Sequence, residues 1–361
     1  MSNVINRIEQ FVRPEIRELK AYQVGDANNL IKMDNMENPY LWDSSVVTQW
    51  HEALNHTSVN RYPDPEAREL QVTLRKTMAL PDSAGLILGN GSDELIQMIC
   101  MALAKPGATL LAPSPTFVMY KMLAIMTNMV YQGVELNDDF SLNLDATLAA
   151  IEKTQAAVVF LSYPNNPTGN LFAEADICEI IEKSPGLVVI DEAYFSFAGD
   201  SFVKYLDRYE NMMVMRTVSK MGLAGLRLGY MVGNKAWINE FNKVRLPFNI
   251  NSLTQVSAKF ALENKAMFDG QTEKLCQSRD DLFAQMQKIE AIECYPSKAN
   301  FILFKPVNGL SGDKLFETIK SAGILIRNLG SHGGLLSHCL RVTIGTEKEN
   351  ATFLRVLQES V

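Results

Sequence analysis

Short runs rich in Val, Leu, Ile and Met recur along the middle of the chain, at 109–112, 129–134, 157–161, 187–190 and 212–218. Stretches with apolar residues at helical spacing, near 144–153 and 174–183, separate several of them. Parallel strands cannot be joined by a tight hairpin; they need a crossover, and crossover helices cover the faces of the sheet. Most of these runs are apolar throughout instead of alternating with polar residues, as strands buried on both faces must be. The pattern predicts an α/β protein with a mostly parallel central sheet and helices on both faces.

Apolar spacing also predicts helices at about 46–56, 66–80 and 93–104, the last stopped by Lys105-Pro-Gly107. From 251 to about 288 there are few breakers, which reads as one or two long helices. The rhythm then changes. Residues 300–304, 324–327 and 340–344 read as strands, and 312–321 and 347–358 as helices, a smaller α+β unit. The first forty-five or so residues fit neither block and could lie across both. The expected division is a large α/β domain over 46–285 and a small domain made of 1–45 with 286–361.

With 361 residues, 47% of them hydrophobic, the chain can bury a sizeable core in about two domains. No apolar run approaches the ~18 residues of a membrane helix. The N-terminus lacks the basic start and apolar core of a secretory signal. The expectation is therefore a cytoplasmic protein with no membrane partner. Lys and Arg total 34 against 41 Asp and Glu, a formal net charge of −7, with no basic stripe, so nucleic acid is not an expected partner. The five cysteines are widely spaced and form no Cys-x-x-Cys, which reads as buried thiols under reducing conditions. The four histidines form no His-Glu-x-x-His, and no metal is expected.

Open α/β sheets bind ligands beyond the carboxyl ends of their strands. After 157–161 comes a polar loop, Ser162-Tyr-Pro-Asn-Asn-Pro-Thr-Gly169, holding Asn166. After 187–190 comes Asp191-Glu-Ala-Tyr194, and after 212–218 comes Ser219-Lys220. Each has a plain structural reading alone: a turn, a helix cap, a solvated charge. Together they offer an amide, a carboxylate with a phenol, and a hydroxyl beside a lysine. A lysine amine captures an aldehyde when its pKa is lowered. A carboxylate facing a pyridine nitrogen keeps that nitrogen protonated, which makes the ring an electron sink. A phenol or amide can bond the ring's 3-oxygen. The set suits pyridoxal 5′-phosphate, with Lys220, Asp191 and Tyr194 as the catalytic candidates. The glycine turn Gly89-Asn-Gly-Ser-Asp-Glu94 stands before a helix, so the amides of Gly91, Ser92 and Asp93 could cradle a phosphate provided the acidic side chains turn away. Ser219 and Arg227 could add a hydroxyl and a charge-assisted clamp.

Asn165-Asn-Pro-Thr-Gly169, Asp191-Glu-Ala-Tyr194, Ser219-Lys220 and Ala224-Gly-Leu-Arg227, in that order, resemble the fold-type-I aminotransferases that depend on pyridoxal phosphate. More narrowly, Glu37-Asn-Pro39, Arg61-Tyr-Pro-Asp64, Pro115-Thr-Phe-Val-Met-Tyr120, Leu246-Pro-Phe-Asn-Ile-Asn-Ser252 and Leu340-Arg-Val-Thr-Ile-Gly345 resemble the histidinol-phosphate aminotransferase family. Ser162-Tyr-Pro departs from the family, which often carries Asn-Pro there; with Asn166 retained, no effect is expected. The resemblance implies that Lys220 binds the cofactor's aldehyde, Asp191 pairs with the ring nitrogen, Asn166 and Tyr194 contact the 3-oxygen, and Tyr120 stacks on the ring. It also implies a homodimer in which Tyr62 reaches the neighbouring subunit's cofactor phosphate.

The implied reaction is transamination of L-histidinol phosphate with 2-oxoglutarate, giving imidazole acetol phosphate and L-glutamate in histidine biosynthesis. One pocket must then accept a phosphate and a carboxylate in turn, which suits arginine's planar fork. Arg341 and Arg327 are the candidates, with Asn166 beside them and Tyr22 as a hydroxyl donor; without the resemblance, Arg341 reads equally well as an edge-strand charge. The alternatives are a related cofactor enzyme, such as a threonine-phosphate decarboxylase, a C–S lyase or an aromatic amino acid aminotransferase, and a non-catalytic sensor domain. The sensor would call for an attached basic helix-turn-helix segment, which the sequence does not show.

Overall fold

The computed structural model describes residues 3–21, 25 and 27–361. In chain order its strands are β1 (Ile31–Lys32), β2 (Gly85–Gly89), β3 (Thr109–Ser114), β4 (Val130–Glu135), β5 (Val158–Ser162), β6 (Leu187–Asp191), β7 (Met212–Thr217), β8 (Gly229–Gly233), β9 (Ile292–Cys294), β10 (Phe301–Pro306), β11 (Ile324–Leu325), β12 (Arg327–Asn328) and β13 (Leu340–Thr343). Seven of them form the central sheet, in the order β2-β8-β7-β6-β5-β3-β4. The pairs β3–β4, β3–β5, β5–β6 and β6–β7 are parallel, whereas β8 runs antiparallel to both of its neighbours.

Successive residues of these strands point to opposite faces, and both faces are apolar. Leu86, Leu111, Val159, Val188 and Val214 join one buried cluster. Ile87, Leu110, Val158, Val189 and Met213 join another on the far side. Helices such as Arg68–Thr77 and Glu174–Lys183 close the first, through Leu70, Leu74, Ile177 and Ile181. Ser92–Leu103 closes the second through Leu95, Ile96 and Ile99. This is the doubly covered α/β layer expected of the alternating runs.

A second sheet, β12-β13-β10-β9, is antiparallel throughout. It has its own buried cluster, which includes Phe301, Phe304, Leu340, Val342 and Phe353. The segment 251–288 forms two helices, Ser252–Glu263 and Lys265–Met286. The second lends Leu275, Leu282 and Met286 to the smaller core. The N-terminal segment touches both blocks: β1 pairs with β11, while the Arg13 guanidinium donates to the carbonyls of Ile125 and Met126 beside the large sheet.

Three elements depart from expectation. The strand expected over 324–327 is two strands in different sheets, β11 and β12, because the chain switches partners within three residues. Antiparallel β8, Gly-Tyr-Met-Val-Gly, and three-residue β9 carry too little apolar length to register as periodic signals. Among the described residues, no helix is long and apolar enough to cross a membrane.

Candidate active site

The parallel strands β5, β6 and β7 end on one edge of the sheet, and each delivers a polar group there. Beyond β5, Asn166 is buried in its loop; β6 ends on Asp191; β7 ends on Thr217 and runs into a single 3-10 turn, Ser219–Met221, that carries Lys220. Because β8 is antiparallel, its beginning lies at that same edge, paired Gly229 to Gly89 with the end of β2. Arg227, two residues before β8, is thereby set against the start of the helix Ser92–Leu103. The approach is close enough to exclude side chains. A Cβ on Gly91, whose φ is +86°, would lie 2.6 Å from Arg227 Nη2, and a Cβ on Gly229 would lie 2.7 Å from the Gly91 carbonyl carbon.

These groups line one cavity of about 530 Å³, shared by Ser92, Asp93, Asn166, Asp191, Tyr194, Ser219, Lys220 and Arg227. The acidic side chains of the glycine turn are held by partners. Glu94 accepts from the Asn90 N–H at 2.6 Å and from Asn249 at 2.8 Å, and Asp93 pairs with Arg227 at 3.3 Å. Ser92, Thr217 and Ser219 also line the cavity, the hydroxyls of the last two 2.8 Å apart.

Two titratable groups are displaced from their ordinary range. Burial pushes the Lys220 ammonium down to about 8, and cationic Arg341 adds to the effect, with Arg227 contributing less. Its Nζ donates to the Asn35 carbonyl at 3.0 Å and lies 5.9 Å from the centre of the Tyr194 ring. Burial also pushes Asp191 up to about 7, against the Tyr120 hydroxyl and the Ala193 N–H, which donate to its two oxygens at 2.6 and 3.1 Å. Among the described residues, Asp191 makes no ion pair.

A second cavity of about 380 Å³ adjoins the first through Asn35, Met36, Phe117 and Asn166. Arg327 from β12 and Arg341 from β13 line it. Arg341 is buried: its two terminal nitrogens donate to Asn166 Oδ1 at 2.5 Å and to the Asp34 carbonyl at 3.0 Å, and its guanidinium lies 5.2 Å from the Phe301 ring centre. The antiparallel small sheet therefore supplies the cations and the parallel large sheet the lysine and carboxylate.

One expected position differs. Tyr120 does not face the cavity as a stacking ring; it is completely buried, its hydroxyl on Asp191 and its ring stacked on Phe160 at 4.7 Å. Phe117, three residues earlier, lines both cavities in its place. Reading beyond the end of β3, as beyond β5, β6 and β7, would have found it. Tyr62 is 81% exposed, stacked on Phe248 at 4.5 Å, and is not among the residues lining either of these two cavities. Tyr22 lies outside the described residues. Asn35, Met36 and Glu37, which also line the site, lie in a segment whose sequence carries no periodic signal.

The residues fit pyridoxal phosphate. A buried carboxylate without a cation matches a protonated ring nitrogen, a lysine of lowered pKa matches an aldehyde, and the side-chain-free contact of Gly91 and Gly229 beside a helix N-terminus matches a phosphate. The fold and this site define a fold-type-I, pyridoxal-phosphate-dependent aminotransferase. The chain belongs to the aminotransferase class I and II family, whose model matches residues 28–357. It is 54% identical over 353 residues to histidinol-phosphate aminotransferase 2 of Nitrosococcus oceani, covering 98% of each chain. It is 47% identical over 351 residues to the histidinol-phosphate aminotransferase of Chromobacterium violaceum, covering 97% of this chain and 98% of that one. Among solved structures it resembles histidinol-phosphate aminotransferase from Sinorhizobium meliloti in complex with pyridoxal 5′-phosphate, with a TM-score of 0.86 at 24% identity over 97% of this chain and 98% of that one.

Proposed function

We propose that this chain transfers the amino group of L-histidinol phosphate to 2-oxoglutarate, releasing imidazole acetol phosphate and L-glutamate as a step of histidine biosynthesis in the cytoplasm. The observation that carries the reading is the shared wall of the two cavities: Arg327 and Arg341, a pair suited to phosphate or carboxylate, line a cavity that has Asn35, Met36, Phe117 and Asn166 in common with the one lined by Lys220 and Asp191. The names of the relatives at 54% and 47% identity support the choice of substrate.

When bound, pyridoxal phosphate supplies an aldehyde for amine exchange and a protonated ring that draws electrons from the amine-bearing carbon. Asp191 holds the proton on the ring nitrogen, and Tyr120 holds Asp191. Asn166 and Tyr194 would hold the 3-oxygen, and Phe117, which lines the cavity, would pack against the ring. The amides of Gly91, Ser92 and Asp93, with Ser219 and Arg227, bind the cofactor phosphate. Tyr62 of a second subunit completes that cup, which makes a homodimer the working unit; its 81% exposure supports that placement. Arg341, Arg327 and Tyr22 bind the anionic end of each substrate. Lys220 Nζ would hold the aldehyde, and its amine would serve as the base that moves a proton at the amine-bearing carbon of the substrate.

The test is turnover by the purified protein loaded with pyridoxal phosphate, given L-histidinol phosphate and 2-oxoglutarate. Glutamate and imidazole acetol phosphate should appear in equal amounts without carbon dioxide. Release of carbon dioxide from a phosphorylated amino acid, or a higher kcat/KM for an aromatic amino acid, would overturn the assignment.

A further inference from the structure

Directly after Asp191 stands a second buried carboxylate that the mechanism above does not use. Glu192 is completely buried, and its carboxylate accepts from Arg216 Nε at 2.9 Å, Arg216 Nη2 at 2.8 Å, Ser201 Oγ at 3.0 Å and the Phe202 N–H at 2.6 Å. Arg216 comes from β7, itself buried, with its guanidinium 4.3 Å from the centre of the Phe195 ring and a further donation to the Tyr230 hydroxyl of β8 at 3.5 Å. Around Asp191 stand Tyr120 and Asp93 from the helices Met119–Met126 and Ser92–Leu103, and Glu192 itself. Asp93 and Glu192 both raise its pKa. Two adjacent buried carboxylates thus have two cations within reach, one on β7 and one arriving with the cofactor.

We propose that Arg216 is a positioning residue of the reaction: by matching the charge of Glu192 it reserves Asp191 for the ring nitrogen of the cofactor. Without it, an uncompensated carboxylate would stand next to Asp191 in the protein interior, and the repulsion between the two would favour a proton on Asp191 in place of its pairing with the ring nitrogen. This rests on the assignment of Asp191 to the ring nitrogen made above.

The probe is pyridoxamine 5′-phosphate, which makes no covalent bond to Lys220, and the readout is its dissociation constant for the cofactor-free enzyme. Arg216→Met should weaken binding at least tenfold, and adding Glu192→Gln should restore it to within about threefold of wild type, because the surplus charge is gone. A double variant as poor as Arg216→Met overturns the proposal, since that result belongs to a clamp whose loss is only structural; wild-type binding by Arg216→Met overturns it as well. Should Arg216→Met not fold, Arg216→Lys keeps the charge and loses the fork: near-normal binding is expected, and a tenfold loss refutes charge matching. Asp191→Asn runs alongside. If it binds like wild type, the ring-nitrogen assignment falls; if it alone is impaired, only the role of Arg216 does.

Discussion

Lys220 is held under protein and near two arginines, so its ammonium is a cost to the fold. Its folded pKa is depressed to about 8 from an ordinary 10.5. The unfolded chain therefore binds more protons than the native one between those values, and stability rises with pH across that window and is lost as pH falls through 8. Replacing the ammonium by an apolar chain should recover about 3 kcal/mol at pH 7. Lys220→Met, freed of cofactor, should accordingly melt above wild type at pH 7, with the gap closing by pH 10.5; a gap constant with pH would contradict the buried charge. The same variant should have no measurable transamination. In the proposed reaction Arg341 would bind and not react, so its variant should give a different signature. Hydrogen bonds to charged groups contribute about 1.5–3 kcal/mol, so Arg341→Ala should raise KM by roughly 10- to 100-fold for histidinol phosphate and for glutamate together. Loss toward only one of them would mean that the two anions do not share the pocket.

Among the elements, the antiparallel strand β8 decides the phosphate cup. A parallel strand in its place would start at the far edge of the sheet and carry Arg227 away from the helix Ser92–Leu103. The cup then depends on how closely that helix start approaches Arg227, and Gly91 permits it with a φ of +86° and no side chain. Gly91→Ala should cost about 1–3 kcal/mol of stability through backbone strain. It should also weaken pyridoxal phosphate binding more than it slows turnover at saturating cofactor, because the displaced group is the Arg227 guanidinium. Thermal melts with and without cofactor separate the two effects. The parallel strands were legible because each is an apolar run followed by its polar signature. The strand β8 was not, because two of its five residues are glycine and it lies only eleven residues after β7 ends. Tyr120 and Phe117 share the stretch after β3, but Phe117 lies in the loop before the helix Met119–Met126 and lines the cavity, whereas Tyr120 lies inside that helix and is buried in the core.

For the whole molecule, Tyr62, Leu41, Val59, Leu246 and Leu253 are exposed apolar side chains, and the proposed homodimer bears on the first of them. If Tyr62 serves the neighbour's site, inactive Lys220→Ala chains and weakened Tyr62→Ala chains should complement each other. Mixed dimers hold one site with both residues intact, so activity should exceed the sum of the separate variants. Mixtures no better than that sum would assign Tyr62 to its own subunit or to no site.

The order of polar signatures after the apolar runs was enough to settle the sheet class and to place Asn166, Asp191, Ser219 and Lys220 at one edge, since a parallel strand carries its next residues to its own carboxyl end. Arg327 and Arg341 are more than a hundred residues downstream of Lys220, and only the packing of the antiparallel sheet against the parallel one brings them to the same space. The displaced pKa values of Lys220 and Asp191, the pairing of Glu192 with Arg216, and the exchange of Tyr120 for Phe117 likewise follow from burial and register. Those quantities depend on neighbours distant along the chain, and local spacing does not encode them.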